Sequence, residues 1–207
     1  TSGTTGPPKG AMITHGNYRW IAKNSESATR LTVDDETISF LPLNHVYEQI
    51  FDLMMHLRIG HIVNFTENTD TVMNDLKDVS PTLFHAVPRI WEKYHSSIVL
   101  KMKDATLLKR AMYNVAFRIG SAYNDCRLQK KTPPPHILVG YWLAYFCVFW
   151  KLKERLGFDR VRLGFSGAAP ISHEVLKFFQ SIGIPIREGY GLTETTGITH
   201  ISDETNF

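Results

Sequence analysis

Val161-Arg162-Leu163-Gly164-Phe165-Ser166-Gly167-Ala168-Ala169-Pro170-Ile171-Ser172 runs from an apolar segment through a turn of small residues to a serine placed to cap a helix. Val161 to Phe165 reads as a strand, and Gly167, Ala168, Ala169 and Pro170 form a turn whose backbone can press against a flat ligand such as a base. Ser172 then starts a helix over His173 to Ser181, and a further strand follows around Ile184 to Arg187. Strand, small-residue turn, helix and strand make one parallel α/β unit, whose ligands sit at the carboxyl ends of the strands.

The same rhythm extends toward the N-terminus. Asn17 to Ala28 has helical spacing, and Thr37 to Leu41 is a short apolar strand closed by Pro42. Tyr47 to Leu57 is helical, Ile62 to Phe65 strand-like, Thr71 to Lys77 a short helix, and Thr82 to Val87 a strand ending at Pro88. From Pro88 to about Asp125 the pattern is helical, with a break expected near Asp104 or Gly120. Lys130 to Pro135 is a turn. The expected fold class is α/β, a layered parallel-sheet αβα architecture in one partial domain spanning residues 1–207.

Composition excludes more than it selects. Of 207 residues, 43% are hydrophobic and 21% charged, as in ordinary globular chains, and 23 basic residues interspersed with 20 acidic ones form no block that would track nucleic acid. Cys126 and Cys147 fit neither a disulfide framework nor a zinc-ligand pattern, which points to a reducing, cytoplasmic setting. The uncharged run Ile137 to Trp150 spans 14 residues, short of the roughly 20 that cross a bilayer, and reads as a buried core helix. An interfacial helix is the alternative, kept open by Lys151, Lys153 and Arg155; the corresponding setting is peripheral at a membrane.

Three further stretches carry chemistry. Thr1-Ser2-Gly3-Thr4-Thr5-Gly6-Pro7-Pro8-Lys9-Gly10 combines glycines that let amides approach phosphate oxygens, hydroxyl donors and one compact cation, the makings of a triphosphate cradle. It is not a Walker loop, because the glycine preceding Lys9 is wrongly spaced and Gly10 replaces the magnesium-holding hydroxyl. Leu41-Pro42-Leu43-Asn44-His45-Val46-Tyr47-Glu48 places one histidine after a strand end, more often a hydrogen-bonded structural residue than a ligand. Arg187-Glu188-Gly189-Tyr190-Gly191-Leu192-Thr193-Glu194-Thr195-Thr196-Gly197 sets an aromatic ring, a hydroxyl and a carboxylate in a glycine-rich turn, where a lone glutamate is usually just solvated.

In their order and wording these blocks resemble the adenylate-forming superfamily, AMP-dependent synthetases and ligases that include acyl-CoA synthetases, luciferase and adenylation domains. Val87-Pro88-Arg89-Ile90-Trp91-Glu92-Lys93 and the long helical insertion after it are similar to long-chain and bubblegum-type fatty acyl-CoA synthetases. The resemblance implies that Thr1, Ser2, Gly3, Thr4, Thr5, Gly6 and Lys9 cradle phosphates, that Gly167, Ala168, Ala169 and Pro170 line adenine, and that Tyr190 stacks on it beside Gly191. It gives Thr193 to the α-phosphate, Glu194 to Mg²⁺, and His45 to the gate of the acyl pocket. The implied substrates are a fatty acid, ATP and coenzyme A. Trp142, Tyr145, Phe146 and Phe149 either line an acyl tunnel or, as such stripes more often do, simply fill core.

The family's ribose-binding aspartate, hinge, small C-terminal domain and catalytic lysine have no counterpart in these residues, and Lys9 does not take the lysine's role. The expectation is an internal piece that binds nucleotide weakly and does not turn over. Competing readings are an adenylation domain, a medium-chain or aryl acid ligase, a nucleotide-binding module without turnover, and a structural domain that kept the fold alone.

Overall fold

The computed structural model describes Pro7 and residues 9–202; the expected phosphate cradle Thr1 to Gly6 lies outside the described residues. Six strands order the chain: β1 Glu36–Ser39, β2 Ile62–Phe65, β3 Leu83–Ala86, β4 Leu163–Gly167, β5 Ile186–Leu192 and β6 Gly197–Ile201. β1 and β2 pair in parallel, as do β3, β4 and β5, while β6 returns antiparallel along β5 with a register shift at Tyr190 and Gly191. The two sheets meet edge to edge, since the Thr82 amide donates to the Glu36 carbonyl at 2.9 Å and the Glu36 amide to the Thr82 hydroxyl at 2.9 Å. The spatial order is thus β2, β1, β3, β4, β5, β6, with direction of winding reversing between β1 and β3, where doubly wound sheets open a ligand crevice.

Alternation along the central strands builds the layers. Leu83 of β3 and Leu163 and Phe165 of β4 face helix His15–Thr29 and the helical segment 46–59, joining Ile21, Ile50, Phe51 and Met55. Phe84 and Ala86 face the opposite way, toward Trp91, Tyr94, Phe158 and Phe179. Gly164 is required on that side, because a Cβ there would stand 2.9 Å from Trp91 Cη2. The Trp91 indole fixes the register by donating to the Phe165 carbonyl at 3.1 Å.

Local chemistry sets the helix ends. Thr14 caps helix His15–Thr29, its hydroxyl accepting from the Asn17 amide at 3.1 Å while the Asn17 carboxamide accepts from the Thr14 amide at 3.0 Å. Pro88 opens helix Pro88–Lys103, which stops at Asp104 rather than at Gly120. Gly120 sits inside helix Leu107–Leu128, where any Cβ would overlap the Ser181 carbonyl, so its bareness permits close helix packing rather than a break.

The run Ile137 to Trp150 departs from expectation. It is helical, within a segment 135–156 that includes a π-helical stretch Tyr145–Phe149, but only Tyr141, Ala144 and Phe149 are buried. Trp142, Leu143 and Phe146 are between 50% and 63% exposed. A run that is apolar all round does not tell which face has a partner, and here one stripe meets the core while the other does not. The strand β6 was also not expected; it depends on left-handed residues Thr196 (φ 60°) and Gly197 (φ 88°), which turn the chain straight back along β5.

Candidate functional site

The carboxyl ends of β4 and β5 and the start of the segment 46–59 enclose a cavity of about 220 Å³. His45, Ala168, Gly191, Thr193 and Glu194 all line it, although more than 100 residues separate the first of them from the rest. The structure therefore brings together parts of three of the four stretches singled out by sequence.

Each arrives for a local reason. β4 ends in the buried Gly167, where a Cβ would stand 3.1 Å from the Tyr47 ring, and Ala168 then turns outward with φ 70°, a left-handed backbone at the cavity wall. β5 runs into a single 3-10 turn, Thr193–Thr195, before folding back. The Thr195 hydroxyl holds that turn, accepting from the Leu192 amide at 3.1 Å and lying 3.0 Å from both the Leu192 and Gly197 carbonyls. Gly191 is obligatory, since a Cβ there would overlap the Gly197 carbonyl.

His45 fulfils the structural reading as well as lining the cavity. Its Nδ1 accepts from the Tyr47 amide at 3.1 Å and so caps the helical segment. Of the other expected site residues, Gly167 lies behind the cavity wall, and Ala169 and Pro170 are exposed beyond it. The Tyr190 ring is 62% exposed and tilted against His200 at 6.1 Å, so it does not line the cavity. Lys9 is exposed and does not line it either.

Sequence reading passed over what stands behind the wall. Glu48 and Asp52, one helical turn apart, and His85 of β3 converge, fully buried, with His85 Nε2 at 3.4 Å from Glu48 and 3.3 Å from Asp52. Glu48 Oε1 also accepts from the Ser39 hydroxyl (2.8 Å) and from the Phe40 and Leu41 amides (both 3.0 Å), while Asp52 accepts from Thr37 at 3.0 Å. Burial would push the His85 imidazolium toward neutrality, but the Asp52 charge and the hydrogen bonds to both carboxylates override it and raise its pKa to about 10. Burial would likewise raise Asp52, yet the facing imidazolium holds it below the ordinary carboxylate value. The visible signals were Glu48 and Asp52 at i, i+4 and one histidine inside the apolar strand Leu83-Phe84-His85-Ala86.

As a chemical environment the cavity offers a backbone-lined wall of small residues, with Thr193, Tyr47, His45 and Glu194 as its polar side chains. A hard cation such as Mg²⁺ binds through one or two carboxylates together with substrate phosphates and water, and Glu194 with Thr193 beside it fits that donor set.

Comparison with known proteins agrees on the kinship. The profile described as AMP-binding enzyme matches residues 1–206. Long-chain-fatty-acid–CoA ligase ACSBG2 of Homo sapiens is 38% identical over 211 residues, covering 100% of this chain and 31% of that protein, so the chain spans about a third of that relative's length. Among solved structures, a long-chain-fatty-acid-CoA ligase (FadD1) from Archaeoglobus fulgidus superposes with TM-score 0.60 at 17% identity, over 97% of this chain and 32% of that one. O-succinylbenzoate coenzyme A synthetase (MenE) from Bacillus subtilis, in complex with ATP and magnesium ion, gives TM-score 0.59 at 19% identity over 99% of this chain and 31% of that one. At those identities the two structures speak to the fold alone.

Proposed function

The chain belongs to the AMP-binding enzyme family, and on that premise we propose that it forms the nucleotide-gripping part of an AMP-forming ligase that activates a long-chain fatty acid and passes it to coenzyme A. The observation that carries this reading is the single cavity shared by His45, Ala168 and the turn Gly191 to Glu194.

In the proposed reaction a fatty acid carboxylate attacks the α-phosphate of ATP, pyrophosphate leaves, and the thiol of coenzyme A then takes the acyl group from the acyl-adenylate, releasing AMP. The work asked of the protein is positioning and charge stabilisation, with no protein nucleophile. Ala168 brings its backbone toward the base at the cavity wall, with Gly167 behind it, Ala169 and Pro170 extending that surface outside the cavity, and Tyr190 swinging its exposed ring onto the base. The Thr193 hydroxyl donates to the α-phosphate where charge develops. Glu194 would hold Mg²⁺, which would supply neutralisation of the phosphate charges. His45, fixed by its own capping bond, stands at the acyl side of the cavity. Thr1 to Gly6 with Lys9 cradle the outgoing phosphates. The kinship with the human ligase supports the long-chain assignment.

The test is calorimetry with ATP–Mg²⁺ and pyrophosphate exchange, on the 207-residue chain and on a full-length polypeptide that carries it. The chain alone is expected to bind weakly without exchange, and the full-length polypeptide to exchange with long-chain acids in preference to acetate or aryl acids. Thr193→Val in the full-length polypeptide should cost about 10- to 100-fold in kcat/KM, the worth of one hydrogen bond to a charged group. Unchanged kcat/KM for Thr193→Val, or a preference for short or aryl acids, contradicts the proposal.

A further inference from the structure

Away from the nucleotide cavity, helix Leu107–Leu128 and the helical segment 135–156 form a hairpin with an apolar face that nothing in the site uses. Along the second arm Val139, Trp142, Leu143, Phe146, Cys147 and Trp150 recur three or four residues apart, and all are exposed. Leu107, Leu108, Met112 and Val115 continue the exposed apolar surface on the first arm. Between the arms lies an open groove of about 410 Å³, apolar throughout, with Met112 and Val115 on one wall and Leu143 and Cys147 on the other. The Trp142 and Phe146 rings stack on each other at 6.0 Å, with Trp142 also edge-on to Tyr141 at 6.1 Å, and both remain at least half exposed.

The charge of this hairpin is the second observation. Residues 107–156 hold nine Lys or Arg against two acids, Asp125 and Glu154, a net +7 where the whole chain has +3, so the remaining residues net −4. Asp125 is already paired with Lys177 at 2.9 Å, and of the nine cations only Lys153 is buried. Lys109, Lys151 and Arg155 line a hollow that shares Met112, Cys147 and Val148 with the groove, so cations rim the apolar face directly. Among the described residues no helix is long and apolar enough to cross a membrane.

We propose that this hairpin face docks on an anionic lipid bilayer, lying in the interface without crossing it. Tryptophan and phenylalanine beside lysine are the composition of interfacial helices, whose apolar side enters the headgroup boundary while cations meet anionic headgroups. A second protein surface would need matching acidic groups around an apolar ridge; a bilayer supplies both over any area. The inference stands on this face alone and does not depend on the nucleotide reading.

Flotation with vesicles of phosphatidylcholine, with and without about 30 mol% phosphatidylserine, tests it on the chain and on the full-length polypeptide. Both should float with the anionic vesicles and not with the neutral ones, and release as salt rises to about 0.5 M. Lys109→Gln with Lys151→Gln should weaken binding about 25-fold, roughly fivefold per cation. Trp142→Ala with Phe146→Ala should abolish the blue shift of tryptophan emission on vesicles while leaving the unfolding free energy in urea within about 0.5 kcal/mol, since both side chains are exposed. Three results overturn the proposal: no flotation of either protein, flotation indifferent to both double variants, or a dimer in sedimentation that Trp142→Ala with Phe146→Ala dissolves. Flotation of the chain but not of the full-length polypeptide overturns it as well, by showing that the protein's own remainder covers the face.

Discussion

Tyr47 is the side chain whose burial and polarity conflict most openly. Its ring is 6% exposed, packed edge-on to Phe51 at 4.9 Å and to His85 at 5.6 Å, and it lines the cavity. The hydroxyl is buried and finds no hydrogen-bond partner among the described residues, while burial, with the Glu48 and Asp52 charges behind it, pushes its pKa far above the usual phenol value. A neutral donor held without a partner costs stability, and deleting it leaves nothing unpaired. Tyr47→Phe is therefore expected to hold or raise stability by up to about 1 kcal/mol in urea unfolding, and to weaken acyl-adenylate analogue binding about tenfold in calorimetry on the full-length polypeptide. A stabilised variant with unchanged affinity would show the hydroxyl pointing away from ligand. Gly191 makes the opposite trade: in Gly191→Ala the new methyl meets the Gly197 carbonyl, backbone that cannot rotate aside. We expect a loss of about 3 kcal/mol by the same unfolding measurement, the upper end for overpacking, and with it the Thr193–Thr195 turn.

At the scale of elements, Glu48, Asp52 and His85 fasten β1, the segment 46–59 and β3 to one another immediately behind the cavity. A π-helical stretch, Gln49–Met54, begins right after Glu48 and widens the turn that carries Asp52. Because the His85 pKa is raised to about 10 in the folded protein from an ordinary 6.5, its contribution is fully present below pH 6.5 and fades as pH climbs through 10. Asp52 is shifted the other way, so its contribution is present above its ordinary 3.8 and fades as pH falls below that value. His85→Gln should cost about 3–5 kcal/mol near pH 6, the toll of breaking a buried charged cluster, and should flatten the alkaline decline between pH 7 and 10 expected of the parent in urea titrations. A variant that keeps the parent's alkaline slope would place the titration elsewhere. The cluster left only faint signals in the sequence, since two acids at i, i+4 look like a solvated helix face and His85 inside an apolar strand does not say which groups it meets. Strand β4 and helix His173–Ser181 were legible because an apolar run, a small-residue turn and a serine sit next to each other in the chain, Ser172 taking the N-cap position although its hydroxyl makes no capping bond. The antiparallel β6 was not, since it hangs on two left-handed residues, and neither was the half-exposed state of the run Ile137 to Trp150, since exposure depends on what the rest of the fold leaves uncovered.

Across the whole molecule the sheet separates two cores, one gathered around Phe51, Ile50 and Met55, the other around Trp91, Phe84 and Phe179. The same central strands feed both by alternation, and Leu41 packs against each of them. If the layers form one cooperative unit, as we propose for residues 1–207, damage to either should lower the same transition rather than split it. Phe51 and Trp91 are both wholly buried, so Phe51→Ala and Trp91→Ala are each expected to cost about 3–5 kcal/mol. For a chain of this size that corresponds to a fall in Tm of about 2–4 °C per kcal/mol. The urea m-value should stay at the parent's, because the surface exposed on unfolding is unchanged when one folded state gives way to one unfolded state. Far-ultraviolet circular dichroism and near-ultraviolet signals from the aromatic cores should then trace coincident curves for both variants. Two separated steps, with the Phe51 layer melting while the Trp91 layer persists, would show two independent folding units. In that event the cavity, which draws His45 from one layer and the β4 and β5 ends from the sheet, would be lost in the first step, and nucleotide binding with it.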